Sequence, residues 1–274
     1  MALVPFPSSH ASGALQRPPD KEDDDDGIGG RMSFLEHLEE LRKRIINACL
    51  GIVAGIGFSF FFIQRIYDFL TAPAIATLPE GSRLIYTQPT EAFALYVNIS
   101  LISGAVFASP FIMYQVWGFV APGLYANEKR FVIPFVLFST LGFLAGGAFN
   151  HYVAYPFIMV YFASFNTPNL TYMPQLREVF GLYLKLLIGL GLIFQMPTIV
   201  FFLAKMRVIT AKFLIAQFKY AILIIVILAA VVTPGGDPMV LLVFSAPMVA
   251  LYGVSIAIAW IVGPKPHKGE LAAG

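Results

Sequence analysis

The sequence is poor in cysteine and in charge. Cys49 is the single cysteine among 274 residues, so the chain can form neither an internal disulfide bond nor a multi-cysteine metal site. Charged residues make up only 12% of the chain, about half of what a soluble domain carries. Hydrophobic residues make up 58%. This balance excludes a soluble globular protein and predicts an integral membrane protein.

Motifs that carry enzyme chemistry are also missing. The four histidines are scattered, and His37 has no second histidine at the spacing of a zinc protease. The sequence contains no G-x-S-x-G, no phosphate-binding P-loop and no G-x-G-x-x-G. No basic cluster alternates with aromatic residues outside the apolar segments, as a nucleic-acid interface would require. We therefore predict no enzymatic activity, no metal, no cofactor and no nucleic-acid partner.

Six long apolar segments dominate the rest of the chain. They predict an all-α, polytopic fold with six transmembrane helices at about 45–63, 92–117, 131–157, 179–205, 213–232 and 239–262. Residues 1–31 combine prolines, serines and an acidic run, which predicts a disordered N-terminal tail. The membrane domain is then 32–263, followed by a C-terminal tail over 264–274. The longer loops, 64–91 and 166–178, favour short interfacial helices.

The distribution of lysine and arginine predicts the orientation. With six spans, fourteen of these residues fall on the side of both termini and four on the opposite side. Cytoplasmic segments carry the excess of positive charge in membrane proteins. We therefore expect a multi-pass protein of the cell membrane with both termini in the cytoplasm.

One loop carries the most distinctive pattern, YQVWGFVAPGLYANEKR over 114–130. Apolar residues lead to the helix-stopping pair Pro122-Gly123, and charges follow before the next apolar run. Taken alone, the pattern favours a short loop at the membrane surface, with Trp117 and Tyr125 as interfacial anchors and with Lys129 and Arg130 fixing the orientation.

This loop resembles the first cytoplasmic loop of the TatC family, the multispanning subunit of the twin-arginine protein translocase. A second block, HLEELRKR over 37–44, is similar to the amino-terminal H-L-x-E-L-R-x-R of that family. The resemblance covers about 33–260. It implies a cup-shaped helical bundle in the inner membrane, a role as receptor for twin-arginine signal peptides, and export of folded proteins driven by the proton-motive force. The implied partners are single-span TatA/TatB-type subunits, further copies of the chain, cargo signal peptides and membrane lipids.

The resemblance implies that the two matching blocks of this sequence bind the signal peptide. Glu40 and Glu128 are expected to bind the paired arginines, because a guanidinium matches a carboxylate bidentately. Arg42 belongs to the same set, and Phe119 and Leu124 offer apolar surface. The alternative is that these acids only pair with nearby bases, as in the i,i+4 pair of Glu40 with Arg44.

Gln195 lies within the fourth apolar segment, two residues before Pro197. Proline frees a backbone carbonyl, and an amide in a span most often bonds to a neighbouring helix. The resemblance instead places Gln195 and Pro197 at an intramembrane cavity. Both interpretations remain open on the sequence.

Asp237 lies in the turn before the sixth segment, directly ahead of Pro238. This order is typical of a helix N-cap followed by proline at the first position. The resemblance implies that Asp237 and Met239 contact single-span partner subunits. Leu241 stands where the family commonly has glutamine, so that polar contact is not supported here.

A small-solute secondary transporter is the alternative function. It would require inverted repeats and several ionisable residues at mid-membrane. The sequence shows no repeat, and the polar candidates are Gln195 and Lys185.

Overall fold

The computed structural model describes residues 34–80, 82–120, 132–167, 169–232 and 237–263. The predicted tails, and Leu124 and Glu128, lie outside these ranges. The contacts divide the chain into two units at Glu39 and Glu40. The described part of the first unit is the start of one long helix.

The described residues are almost entirely helical, as predicted. The helices are α1 (Phe34–Phe61), α2 (Ile63–Ala76), α3 (Glu91–Phe107), α4 (Ser109–Val120), α5 (Val132–Phe149), α6 (Tyr155–Ala163), α7 (Leu176–Ile193), α8 (Met196–Lys205), α9 (Ala211–Ala216), α10 (Phe218–Val232) and α11 (Pro238–Val262). A π-helical turn, Asn150–Ala154, joins α5 to α6.

Four helical stretches are long and apolar enough to cross a membrane: Leu35–Phe61, Ile133–Ala163, Leu176–Lys205 and Pro238–Val262. The bent pair α3–α4 makes a fifth if it is counted as one span. Helix α10 is apolar but shorter, at 15 residues. These elements coincide in position with the six segments of the sequence analysis, while the count of six spans and their orientation remain predictions.

Two predicted spans are broken by proline. The second bends by 55° between α3 and α4. Pro110 has no amide hydrogen for the carbonyl one turn earlier, so the helix cannot continue straight. The fourth is interrupted at Phe194 and Gln195, just ahead of Pro197 in the first turn of α8.

The two longer loops differ. The first contains the helix α2, as expected. The second has no separate helix in its described residues 166, 167 and 169–175, so that expectation was wrong. Leu176, the first residue of α7, donates its amide hydrogen to the carbonyl of Ile85 at 2.8 Å, and Ile85 donates to that of Pro174 at 3.2 Å. Backbone pairing with the first loop replaces the internal hydrogen bonds of a helix.

The core lies where the later helices pack on one another. The most extensive packing is that of α11 on α8. Helix α5 packs on both α7 and α4, and helix α10 packs on α11. Tyr155, Ile158, Leu186, Leu190 and Phe244 are fully buried there. Helices α1 and α3 approach closely at Gly55 and Gly104, since a Cβ on Gly55 would lie 2.3 Å from the Gly104 carbonyl oxygen. Small residues are what permit such backbone contact between membrane helices.

Candidate functional site: an arginine held between α1 and α4

The side chain of Arg44 joins α1 to α4. Its Nη2 donates to Oε1 of Glu40 at 3.0 Å and to the backbone carbonyl of Gly118 at 3.2 Å. Its Nη1 donates to Oε1 of Gln115 at 3.4 Å. A carboxylate, an amide and a main-chain carbonyl thus surround one guanidinium, which is the acceptor set that the planar fork of arginine fits.

Helix geometry explains how these groups meet. Glu40 and Arg44 are one turn apart on α1, so both side chains lie on the same face. Gln115 and Gly118 are three residues apart on α4 and share a face likewise. Gly118 is required by the close approach, because a Cβ there would lie 2.3 Å from Nη1 of Arg44.

The second oxygen of the Glu40 carboxylate is enclosed. Among the described residues, Oε2 of Glu40 is buried and has no hydrogen-bond partner. The Glu40 side chain is 17% exposed and that of Arg44 is 27% exposed, so the ion pair is largely shielded from solvent. A buried carboxylate oxygen without a donor is energetically costly, and a further cationic donor would satisfy it.

The other residues predicted for signal-peptide binding lie differently. Arg42 is exposed on α1 and, among the described residues, has no hydrogen bond or ion pair. Phe119 directly follows Gly118 near the end of α4, so it adjoins the guanidinium site. Leu124 and Glu128 lie outside the described residues, and their role stays a prediction.

Sequence reasoning did not find Gln115 and Gly118, and it gave Arg44 only a local pairing. The pairing with Glu40 is confirmed, but the bonds of Arg44 to α4 span more than seventy positions of sequence. The sequence did contain a signal for these two residues, because both lie in the 114–130 motif, next to the aromatic residues that carry the resemblance.

Gln195 is buried at the break between α7 and α8. Its Nε2 donates to the backbone carbonyl of Ser139 on α5 at 2.8 Å. The hydroxyl of Ser139 accepts a hydrogen bond from Nε1 of Trp117 on α4 at 3.1 Å. This is the helix-to-helix bond expected of an intramembrane amide; the assignment of Gln195 and Pro197 to a cavity stays a prediction.

Asp237 caps α11, as predicted from Pro238. Its Oδ1 accepts the amide hydrogen of Met239 at 2.8 Å. Its Oδ2 accepts the hydroxyl of Tyr161 on α6 at 2.8 Å, a partner that the sequence did not indicate. The Tyr161 hydrogen bond, followed by that of the Met239 amide, lowers the pKa of the Asp237 carboxyl below its ordinary value. Met239 is about half exposed. Contact of this turn with a partner subunit stays a prediction.

Comparison with known proteins agrees with this architecture. Residues 36–247 match the family model described as Sec-independent protein translocase protein (TatC). The chain is 43% identical over 240 residues to the TatC of Koribacter versatilis, covering 86% of this chain and 88% of that one. It is 34% identical over 243 residues to the TatC of Aquifex aeolicus, covering 88% of this chain and all of that one. A crystal structure of the twin arginine translocase receptor TatC superposes with a TM-score of 0.73 at 34% identity, covering 82% of this chain and 98% of that one.

The fold and these matches define a multi-pass membrane protein that is a non-catalytic subunit of a protein translocase. More particularly, the chain belongs to the TatC family. That membership decides against the small-solute transporter.

Proposed function

We propose that this chain is the receptor subunit of a twin-arginine translocase. It binds twin-arginine signal peptides at its cytoplasmic surface and takes part in the export of folded proteins, driven by the proton-motive force. Family membership and the similarity to a protein called a Tat receptor support this proposal. Its partners are single-span subunits of the TatA/TatB type, further copies of the chain, and the signal peptides.

The observation that carries the proposal is the guanidinium site of Arg44. Three oxygen acceptors already bind one arginine there, and Oε2 of Glu40 has no donor among the residues that the structure describes. A site that holds the chain's own arginine has the chemistry to hold an arginine of a signal peptide.

The geometry also suggests how binding proceeds. Because Oε2 of Glu40 is enclosed, an incoming guanidinium reaches the carboxylate only if Arg44 moves. We therefore infer an exchange in which the first cargo arginine takes the place of Arg44 beside Glu40. Arg44 keeps its acceptors on α4, Gln115 and Gly118, so the cargo arginine gains the Glu40 carboxylate without leaving Arg44 unbonded. A second arginine, paired with Glu128, then supplies affinity that a single arginine cannot, and Phe119 and Leu124 contact the apolar residues that follow.

The test is the affinity of a twin-arginine signal peptide for the detergent-purified protein and its variants. Glu40→Gln keeps the shape of the side chain but removes its charge, and we expect a loss of about 2–5 kcal/mol in binding free energy. Glu39→Gln is the matched control, since Glu39 is an exposed acid one position away. Equal affinity in wild type and Glu40→Gln, with both proteins folded, would contradict the assignment of Glu40.

A further inference from the structure

A groove with both polar and apolar lining lies between the N-terminal halves of α3 and α7. Its cavity volume is about 560 Å³. Glu91, Ala94 and Asn98 of α3 line one side, and Arg177, Gly181 and Lys185 of α7 line the other. None of these residues belongs to the guanidinium site between α1 and α4.

Asn98 and Lys185 lie about two turns or more from the starts of their helices, each between two apolar neighbours. At about 1.5 Å per residue, they are about 10 Å and 14 Å from the first residues of α3 and α7. Both side chains are exposed, and within the described part of the chain neither makes a hydrogen bond or an ion pair. Unpartnered amide and ammonium groups are costly in hydrocarbon, so a ligand with acceptor oxygens would stabilise them.

One of the two acids that line the groove, Glu91, is already held by backbone donors. Oε1 of Glu91 accepts the amide hydrogen of Arg177 at 2.9 Å, and Oε2 accepts those of Thr87 at 3.0 Å and Gln88 at 3.4 Å. With three backbone donors on its carboxylate, Glu91 fastens the first loop to the start of α7, and among the described residues it makes no ion pair with Lys185. Gly181 leaves the groove open, since a Cβ there would meet no atom within 4 Å.

We propose that this groove binds a glycerophospholipid from the adjacent leaflet. Lys185 and Arg177 bind the phosphate, with the lysine side chain extending toward the headgroup region as such side chains do in membranes. The Asn98 amide donates to a glycerol-ester oxygen. Leu95, Phe180 and Leu184, which also line the cavity, contact an acyl chain.

The composition of the groove favours a lipid with an amine headgroup. Glu178 lies at its mouth, one residue from Arg177, and offers a carboxylate to an ammonium group. Phosphatidylethanolamine carries both charges that the groove would bind. Its negative phosphate would bind Lys185 and Arg177, and its positive amine would bind Glu178. A carboxylate-bearing helix of another subunit would satisfy Lys185 but leave Glu178 without a partner, which is why we favour the lipid.

The test is native mass spectrometry of the full chain released from detergent, titrated with dioleoyl phosphatidylethanolamine. Dioleoylglycerol, with the same acyl chains but no phosphate, is the ligand control. We expect saturable binding of one phospholipid that is about tenfold weaker in Lys185→Met. Lys185→Arg should retain it. Lys212→Met, which removes an exposed lysine on α9, should leave it unchanged.

The proposal would be overturned if Lys185→Met bound phosphatidylethanolamine as tightly as wild type does. It would also be overturned if wild type bound dioleoylglycerol as tightly as it binds phosphatidylethanolamine. Loss of a co-purifying single-span subunit from Lys185→Met, with lipid binding intact, would assign the groove to a protein helix instead. Binding of a twin-arginine peptide is measured on the same samples, and it should not change in Lys185→Met. Measuring both ligands distinguishes an error in the lipid proposal from an error in the assignment of peptide binding to Glu40.

Discussion

Trp117 donates its indole hydrogen to the hydroxyl of Ser139, 3.1 Å away, and this bond ties α4 to α5. The backbone carbonyl of the same serine accepts the amide of Gln195 at 2.8 Å. One residue of α5 therefore links the helix that carries Gln115 and Gly118 to the break between α7 and α8. The rings of Trp117, Phe135 and Phe202 pack edge to face around this link.

The link predicts different effects for two substitutions. Gln195→Leu removes the donor to the Ser139 carbonyl and should lower stability by about 0.6 kcal/mol and at most by about 1.7 kcal/mol, the average and the maximum for interhelical hydrogen bonds in a membrane protein. Ser139→Ala keeps that carbonyl but removes the hydroxyl that accepts the Trp117 indole hydrogen. This substitution should therefore weaken the packing of α4 on α5 instead. Thermal unfolding in detergent, with tryptophan fluorescence as a second readout, checks both. A Gln195→Leu variant as stable as wild type would contradict the role given to this bond.

Gly118→Ala tests the close contact of Arg44 with α4. Alanine normally stabilises a helix by about 1 kcal/mol relative to glycine. At Gly118, however, the added Cβ would lie 2.3 Å from the guanidinium and must displace it. We expect Gly118→Ala to destabilise the protein and to change peptide affinity. Gly57→Ala on α1 is the control, because its Cβ would meet no atom within 4 Å, and it should stabilise. If Gly118→Ala and Gly57→Ala raised the stability of the protein equally, Arg44 would not be packed against Gly118.

The cap of α11 predicts a dependence on pH. Because the folded protein lowers the pKa of Asp237 below its ordinary value of 3.8, this carboxyl adds stability above that pH. The contribution is lost as the pH falls through the lower, folded pKa. Tyr161→Phe removes the largest cause of the shift, so the acid-dependent part of the stability should shrink. Tyr114→Phe, at an exposed tyrosine, should leave it unchanged. Identical profiles of melting temperature against pH for Tyr161→Phe and wild type would contradict this account.

The orientation is open to a direct labelling test. In a Cys49→Ser background, single cysteines are introduced by Asp20→Cys, Ser82→Cys, Leu170→Cys and Lys268→Cys. The charge distribution predicts that a membrane-impermeant reagent added to sealed cells labels only the variants at 82 and 170. Labelling at position 20 under these conditions would reverse the predicted topology, and labelling after lysis serves as the control for reactivity.

The helical fold could be predicted from the sequence because apolar runs and local signals determine it. Asp237 ahead of Pro238 indicated a helix cap, and the structure has one. Pro110 and Pro197 both indicated a break in the span that contains them. The sequence analysis considered Pro197 but not Pro110.

The site could be predicted only in part, because its contacts join residues far apart in sequence. Glu40 and Arg44 are neighbours on one helix, so their pairing followed from spacing. Nothing local indicates that Gln115 and the carbonyl of Gly118 complete the set, or that Tyr161 meets Asp237. The open groove at Lys185 likewise depends on how α3 and α7 pack.

The central claim is that a cargo arginine binds Glu40 in the place of Arg44, and a double-mutant cycle tests it most directly. Binding is measured for a twin-arginine peptide and for the peptide with its first arginine changed to glutamine, each against wild type and Glu40→Gln. If the two groups contact each other, the two losses are not additive, and we expect a coupling free energy of about 1.5 kcal/mol or more. Additive losses, with no coupling between the peptide arginine and Glu40, would contradict the account.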